Sequence, residues 1–288
     1  MRSMTRLHKT VSSVCTTGTS AAPCKLHRPH STTGFMRNVR IAVFAAAAGL
    51  WLAVGDAFAG HYYLRGGIGF DHPGNAVFAD IDCSLTSPAA LYGCGTGGDG
   101  APYRSHGSFG TVPAIELGLG YSTGAVRYEM LFEYRPSFTF EGRANFLAPE
   151  RRQSVMMDLS SVSGMLAGFV DFRRPGQFTP FIGAGIGTVR TRTDPTTMTF
   201  PTTTTTVPGG SRTELTWMVT AGAGVALSER VTLDLAWRYT DLGEVRTGRG
   251  AGRVVWRDGS RDPLPLDLAP TRARLAGHGI RVSLRRDF

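Results

Sequence analysis

The sequence predicts an all-β chain: an eight-stranded antiparallel up-and-down transmembrane β-barrel with four long extracellular loops. Three observations predict it. Apolar and polar residues alternate with period two along eight segments, the connections between them alternate long and short, and an export signal precedes the first segment. Composition agrees, because only 18% of the 288 residues are charged while 37 are Gly. A charged content below about a quarter with this much glycine argues against a coiled coil and against a charge-driven disordered chain.

From Met36 the chain carries two arginines (Arg37, Arg40), an apolar run from Ile41 to Val54, and Ala57-Phe58-Ala59 before Gly60. That is the three-part layout of a secretory signal peptide cleaved after Ala59. The run is too short for a spanning helix, which needs about 20 residues. The expected organisation is therefore 36–59 signal peptide and 60–288 barrel, with 1–35 a leader or a mis-assigned start. The whole chain has formal charge +9, and removing 1–59 leaves 24 of 31 basic and 21 of 22 acidic residues, a net +3. A nucleic-acid partner loses its support with those seven lost cations. Cys83 and Cys94 remain, and export to an oxidising compartment predicts a disulfide between them. No CxxC or paired-histidine motif lies near them, so neither a metal nor a cofactor is expected.

The strands follow in order. Tyr62–Phe70 is a weaker example of the alternation. In the second, Ile115, Leu117, Leu119 and Tyr121 alternate with Glu116, Gly118, Gly120 and Ser122. The third, VRYEMLFEYR (126–135), is clearest: Val126, Tyr128, Met130, Phe132 and Tyr134 share one face, and Arg127, Glu129, Leu131, Glu133 and Arg135 the other. A helix would scatter these charges around its axis. Leu159–Phe172 and Phe181–Thr188 follow. Trp217, Val219, Ala221, Ala223 and Val225 then alternate with small or polar residues, as do Val231, Leu233, Leu235, Trp237 and Tyr239 with Thr232, Asp234, Ala236, Arg238 and Thr240. Gly279–Phe288 closes the set.

Connections at roughly 122–125, 173–179 and 228–230 are short, and those at roughly 71–111, 139–157, 189–213 and 242–276 are long. Short periplasmic turns opposite long outer loops are the pattern of an outer-membrane barrel. A charge facing hydrocarbon at the midplane costs about 2–4 kcal/mol. Arg127, Glu129, Glu133, Arg135, Asp171, Asp234 and Arg238 are therefore expected to form a polar network in the lumen, which eight strands leave only wide enough for side chains. Tyr62, Tyr121, Tyr134, Phe172, Trp217, Trp237, Tyr239 and Phe288 fit aromatic girdles at the interfaces.

YYLRGGIGF (62–70), TPFIGAGIG (179–187), residues 217–245 and the terminal GIRVSLRRDF (279–288), behind a signal peptide, resemble the OmpA-like, opacity-type outer-membrane β-barrel family of Gram-negative bacteria. The resemblance implies an outer-membrane location, contact with lipid and lipopolysaccharide, and a non-enzymatic structural or surface-exposed role of adhesin or antigen type. A narrow porin-like channel is the alternative. It further implies that Ile280, Val282, Leu284 and Phe288 form the signal read by the barrel-assembly machinery, with Arg286 departing from the pattern.

Other motifs carry less. GAGIG (183–187) and AGAG (221–224) lack nucleotide-loop spacing and are read as inward glycines making room for facing side chains. GTGGDG (95–100) lacks the carboxylate spacing of a calcium loop and reads as a flexible loop. The Thr tract at 202–206 reads as a mobile loop tip. Arg246, Arg249, Arg253 and Arg257, with Arg261, Arg272 and Arg274, form a candidate polyanion-binding loop suited to phosphates or host ligands. A lipid-modifying barrel enzyme would need a Ser, His and acid at the outer rim, and only His106, beside Ser105, and His278 could serve as base; His61 and His72 complete the mature chain's histidines.

Overall fold

A computed structural model of the chain describes residues 60–81, 96–147, 153–172 and 176–288. Every described residue lies in one compact unit, 58–288. The segments expected to be leader and signal peptide, like Cys83 and Cys94, lie outside the described residues.

Fourteen strand segments are present: β1 (His61–Pro73), β2 (Ala76–Asp80), β3 (Ser105–Ser108), β4 (Val112–Ser122), β5 (Val126–Ala144), β6 (Ser154–Asp171), β7 (Phe178–Thr193), β8 (Thr196–Thr199), β9 (Thr203–Val207), β10 (Gly210–Ala226), β11 (Val231–Arg246), β12 (Gly250–Trp256), β13 (Leu264–Leu268) and β14 (Thr271–Asp287). Eight long segments close a ring: β1 pairs β4, β4 pairs β5, and the ladder continues through β6, β7, β10, β11 and β14 back to β1, antiparallel throughout.

The six short segments prolong that ring. Asp71 stands opposite Val112 and, five residues further along both chains, Ala76 stands opposite Gly107, so β2 and β3 continue β1 and β4 in unbroken register. Thr193 opposite Gly210 and Thr196 opposite Val207 relate β8 and β9 to β7 and β10 in the same way. Arg246 opposite Arg272 and Gly250 opposite Leu268 do so for β12 and β13. Neighbouring prolongations pair as well, β3 with β5, β6 with β8, β9 with β12 and β14 with β2. The molecule is thus eight strands, most of them interrupted once. Two register shifts inside continuous strands have local causes: Pro136, which cannot donate to a ladder, sits in that of β5 between Arg135 and Phe138, and Gly243 takes φ +73° in that of β11.

This corrects two readings. The Thr tract is strand β9, not a mobile tip, because its β-branched side chains suit the pleat and Thr205 and Val207 point into a core. The described part of GTGGDG is an ordered turn: Thr96 bridges Pro102, and the amide of Ala101 and the side chain of Asn145 donate to Asp99 Oδ1 at 3.0 and 2.8 Å. Those donors hold the Asp99 carboxyl below its usual range.

The two storeys have opposite polarity. In the lower one, reaching from the short turns to about Phe70, Ile115, Tyr134 and Ile280, the outward face is apolar and the charges point inward. In the upper one the pattern reverses: Phe78, Phe140, Val155, Met157, Met198, Val254 and Leu266 fill the inside, while Arg143, Asp158, Arg192, Thr206 and Arg253 face out.

Candidate functional site

The interior of the lower storey holds the molecule's densest chemistry. Strand alternation sends every second side chain inward, and a narrow eight-stranded ring forces those side chains into contact. Glu116 of β4 accepts from Arg65 Nη2 and Arg238 Nη1, each at 2.8 Å. Glu129 accepts from the Tyr63 hydroxyl at 2.7 Å and is paired with Arg65 at 3.1 Å and Arg127 at 3.3 Å. Arg127 also donates to Asp171 at 2.8 Å. Glu133 is held by Arg135 at 3.0 Å and Arg281 at 2.5 Å, and both arginines reach Asp71, at 2.9 and 2.7 Å. Arg238 approaches Glu133 at 3.6 Å and joins the two halves into one network.

All seven residues expected in the lumen therefore point inward and are buried: Arg127, Glu129, Glu133, Arg135, Asp171, Asp234 and Arg238. Six of them are hydrogen-bonded to an inward partner. Asp234 stands apart, 3.9 Å from Arg285 and 4.0 Å from Arg127 without a hydrogen bond. Arg65, Asp71, Glu116, Arg281 and Arg285 complete the set and were not singled out from the sequence. The signal was available, since each lies one residue from outward apolar neighbours, such as Arg281 between Ile280 and Val282. With them the interior carries six arginines and six carboxylates.

Two further features fill the space. On the side of β6, β7 and β10, Met165, Ala167, Phe169, Phe181 and Met218 form an apolar patch with Leu131 and Ala236, and Arg127 lies over the rings of Phe169 and Phe181 at 4.8 and 5.0 Å. Glycine makes the other room. A Cβ on Gly279 would meet Asp71 Oδ1 at 2.3 Å and the Phe70 carbonyl oxygen at 2.4 Å, so only hydrogen fits beside the Asp71–Arg281 pair. Above the network, a cavity lined by Asp71, Arg135, Phe138 and Leu242 offers about 10 Å³ to water centres, room for about one molecule.

Elsewhere the structure disperses candidates. Ser105 is buried and His106 is exposed, because adjacent strand residues face opposite sides. His278 lies outward beside His72, and His61 sits 3.3 Å from Asp287 at the turn end. Among the loop arginines, Arg246 pairs with Glu244, Arg257 donates to the Phe200 and Pro201 carbonyls, Arg261 lies over Trp256, Arg272 pairs with Glu244 and Arg274 with Asp241. Arg249 and Arg253 are exposed near and on β12. Ile280, Val282, Leu284 and Phe288 all face outward, and Arg286 lies over the Phe288 ring at 6.0 Å. Among the described residues no group of three or more His, Cys, Asp or Glu is placed to hold a metal ion.

A closed antiparallel ring, apolar outside and salt-bridged inside, defines a membrane-spanning β-barrel. Residues 41–257 match the family described as the outer membrane protein beta-barrel domain, and the chain belongs to that family, which places it in the outer membrane of a Gram-negative bacterium. Among solved structures it is similar to Neisserial surface protein A, NspA (13% identity, covering 79% of this chain and 97% of that one, TM-score 0.35). It is also similar to the outer membrane protease OmpT from Escherichia coli (8%, 79% and 97%, TM-score 0.44). A third is the outer membrane protein OprG from Pseudomonas aeruginosa (14%, 77% and 96%, TM-score 0.39). Comparison with curated proteins finds no match.

Proposed function

We propose that the chain is a non-catalytic outer-membrane barrel whose lower storey anchors and seals, and whose upper storey presents a surface to the exterior in an adhesin- or antigen-like role. The observation that carries this reading is the filled interior: a charge-paired layer crossing the ring at membrane level, under a largely apolar core of packed side chains. The separation of Ser105 from His106 across the sheet argues against an acyl-transfer site there. Export through a cleaved signal peptide, recognition of Ile280, Val282, Leu284 and Phe288 by the assembly machinery, and lipopolysaccharide as surrounding lipid belong to the same reading. Arg246, Arg249, Arg253 and Arg257 supply cations for phosphates or host polyanions, and heparin or lipopolysaccharide affinity unchanged after their joint neutralisation would remove that part.

One observation favours a channel as second reading. Both carboxylate oxygens of Asp234, Nε and Nη1 of Arg285, and Nε and Nη2 of Arg238 are buried without a hydrogen-bond partner, and such groups call for water. Planar-bilayer recording decides between them. The sealed reading expects no current steps above the bare bilayer, and a steady ohmic conductance would replace it with the channel.

A further inference from the structure

The two histidines that stand opposite each other across the seam of the ring are separated by about two hundred residues in the chain. His72 of β1 and His278 of β14 are direct register partners, one pair below the last rung at Pro73 and Gly277. Both face outward and are exposed, immediately above the lipid-facing Phe70 and Ile280. Their ring centroids lie 6.1 Å apart at an interplanar angle of 54°. An ion bound to one nitrogen of each ring at about 2.0–2.1 Å requires centroids roughly 4.5–6.5 Å apart, depending on the N–metal–N angle. The observed spacing falls inside that window, and exposed side chains can turn so that one nitrogen of each ring meets the ion.

We propose that His72 and His278 form a two-imidazole site for a late first-row divalent cation, Cu2+, Ni2+ or Zn2+, that clasps the first strand to the last at the outer end of their ladder. Imidazole is the ligand these ions share, with affinity rising to Cu2+ along the series. Water fills the remaining positions. The surroundings tolerate the added charge: Tyr239 is the register partner of His278 on β11, and Arg274, four residues along β14 on the same face, is paired with Asp241 at 2.5 Å. The site is independent of the sealed-barrel reading, because it lies on the outer face and not in the lumen.

The test uses the folded full chain in detergent micelles with Cu2+ as probe, followed by electron paramagnetic resonance. The expected spectrum shows coupling to two imidazole nitrogens, and His72→Gln or His278→Gln each abolishes that two-nitrogen signal while His106→Gln leaves it intact. A two-nitrogen signal that persists in either single variant overturns the site. Zn2+ provides the second readout: the temperature at which the folded form loses its compact gel mobility rises in the parent chain and not in His72→Gln. Binding with no such rise overturns the clasp.

Discussion

Glu116 shows what each buried residue of the lumen is asked to do. Two arginines from opposite sides of the seam, Arg65 and Arg238, both approach it at 2.8 Å. Removing one partner of a buried ion pair leaves a charge uncompensated and costs about 3–5 kcal/mol. Glu116→Gln is thus expected to lower the unfolding free energy of the barrel, from urea titration in micelles, by that much. Asp194→Asn removes the exposed partner of Arg192 at 3.8 Å and is expected to change that free energy by less than about 1 kcal/mol. Equal effects would mean that the interior is wet enough to screen its charges. Asp80, in the upper storey, makes a pH prediction. Burial pushes its carboxyl up to about 7, whereas an unfolded chain titrates near the ordinary value of about 3.9. Between those limits the folded form keeps a proton that the unfolded form has lost, so the stability Asp80 allows is full below about pH 4 and declines as pH rises through 7. Unfolding midpoints at pH 5 and pH 8 are expected to differ less in Asp80→Asn than in the parent chain.

Strand β9 carries the same reasoning to the element. Thr205 stands between Met198 of β8 and Val254 of β12, so its backbone sits mid-sheet, where proline cannot complete the ladder. Thr205→Pro is expected to expose the β8–β9 hairpin to limited proteolysis while the lower ring keeps its heat-modifiable gel mobility; loss of both would mean the storeys fold as one unit. The tract also shows where legibility ended. In the lower storey lipid imposes a strict code, and Tyr128, Met130, Phe132 and Tyr134 against Arg127, Glu129 and Glu133 could be read without a structure. In the upper storey water outside and a core inside allow Thr on either face, so the contrast between Thr204, Thr205 and Thr206 vanishes and a strand looks like a linker. The lumen was half legible: Arg65, Asp71, Glu116 and Arg281 obey the phase that gave Arg127 and Glu133, but sit among glycines that blur it. The His72–His278 pair was not legible at all, since only the register of β1 on β14 brings those residues together.

At the scale of the whole unit 58–288 the consequence is a closed ring that changes solvent halfway up, and the cost of the same substitution should therefore depend on height. Leu117 faces outward near the middle of the apolar belt and is 58% exposed. An arginine there meets hydrocarbon, and Leu117→Arg is expected to cost about 2–4 kcal/mol. Thr206 faces outward from β9, where the surroundings are polar, and Thr206→Arg is expected to fall within about 0.5 kcal/mol of the parent. Inside, the order reverses. The lower lumen accommodates six arginines because six carboxylates meet them, whereas Phe140 is fully buried against Phe78 and Phe109 at centroid distances of 4.9 and 5.3 Å. Phe140→Ala alone should cost about 3–5 kcal/mol. Phe140→Glu should cost more, because no cation is placed to receive it. Refolding into lipid vesicles with urea titration measures all four variants on one scale. If Thr206→Arg proved as costly as Leu117→Arg, the belt of lipid would have to reach the upper storey, and the boundary drawn at Phe70, Ile115, Tyr134 and Ile280 would be misplaced.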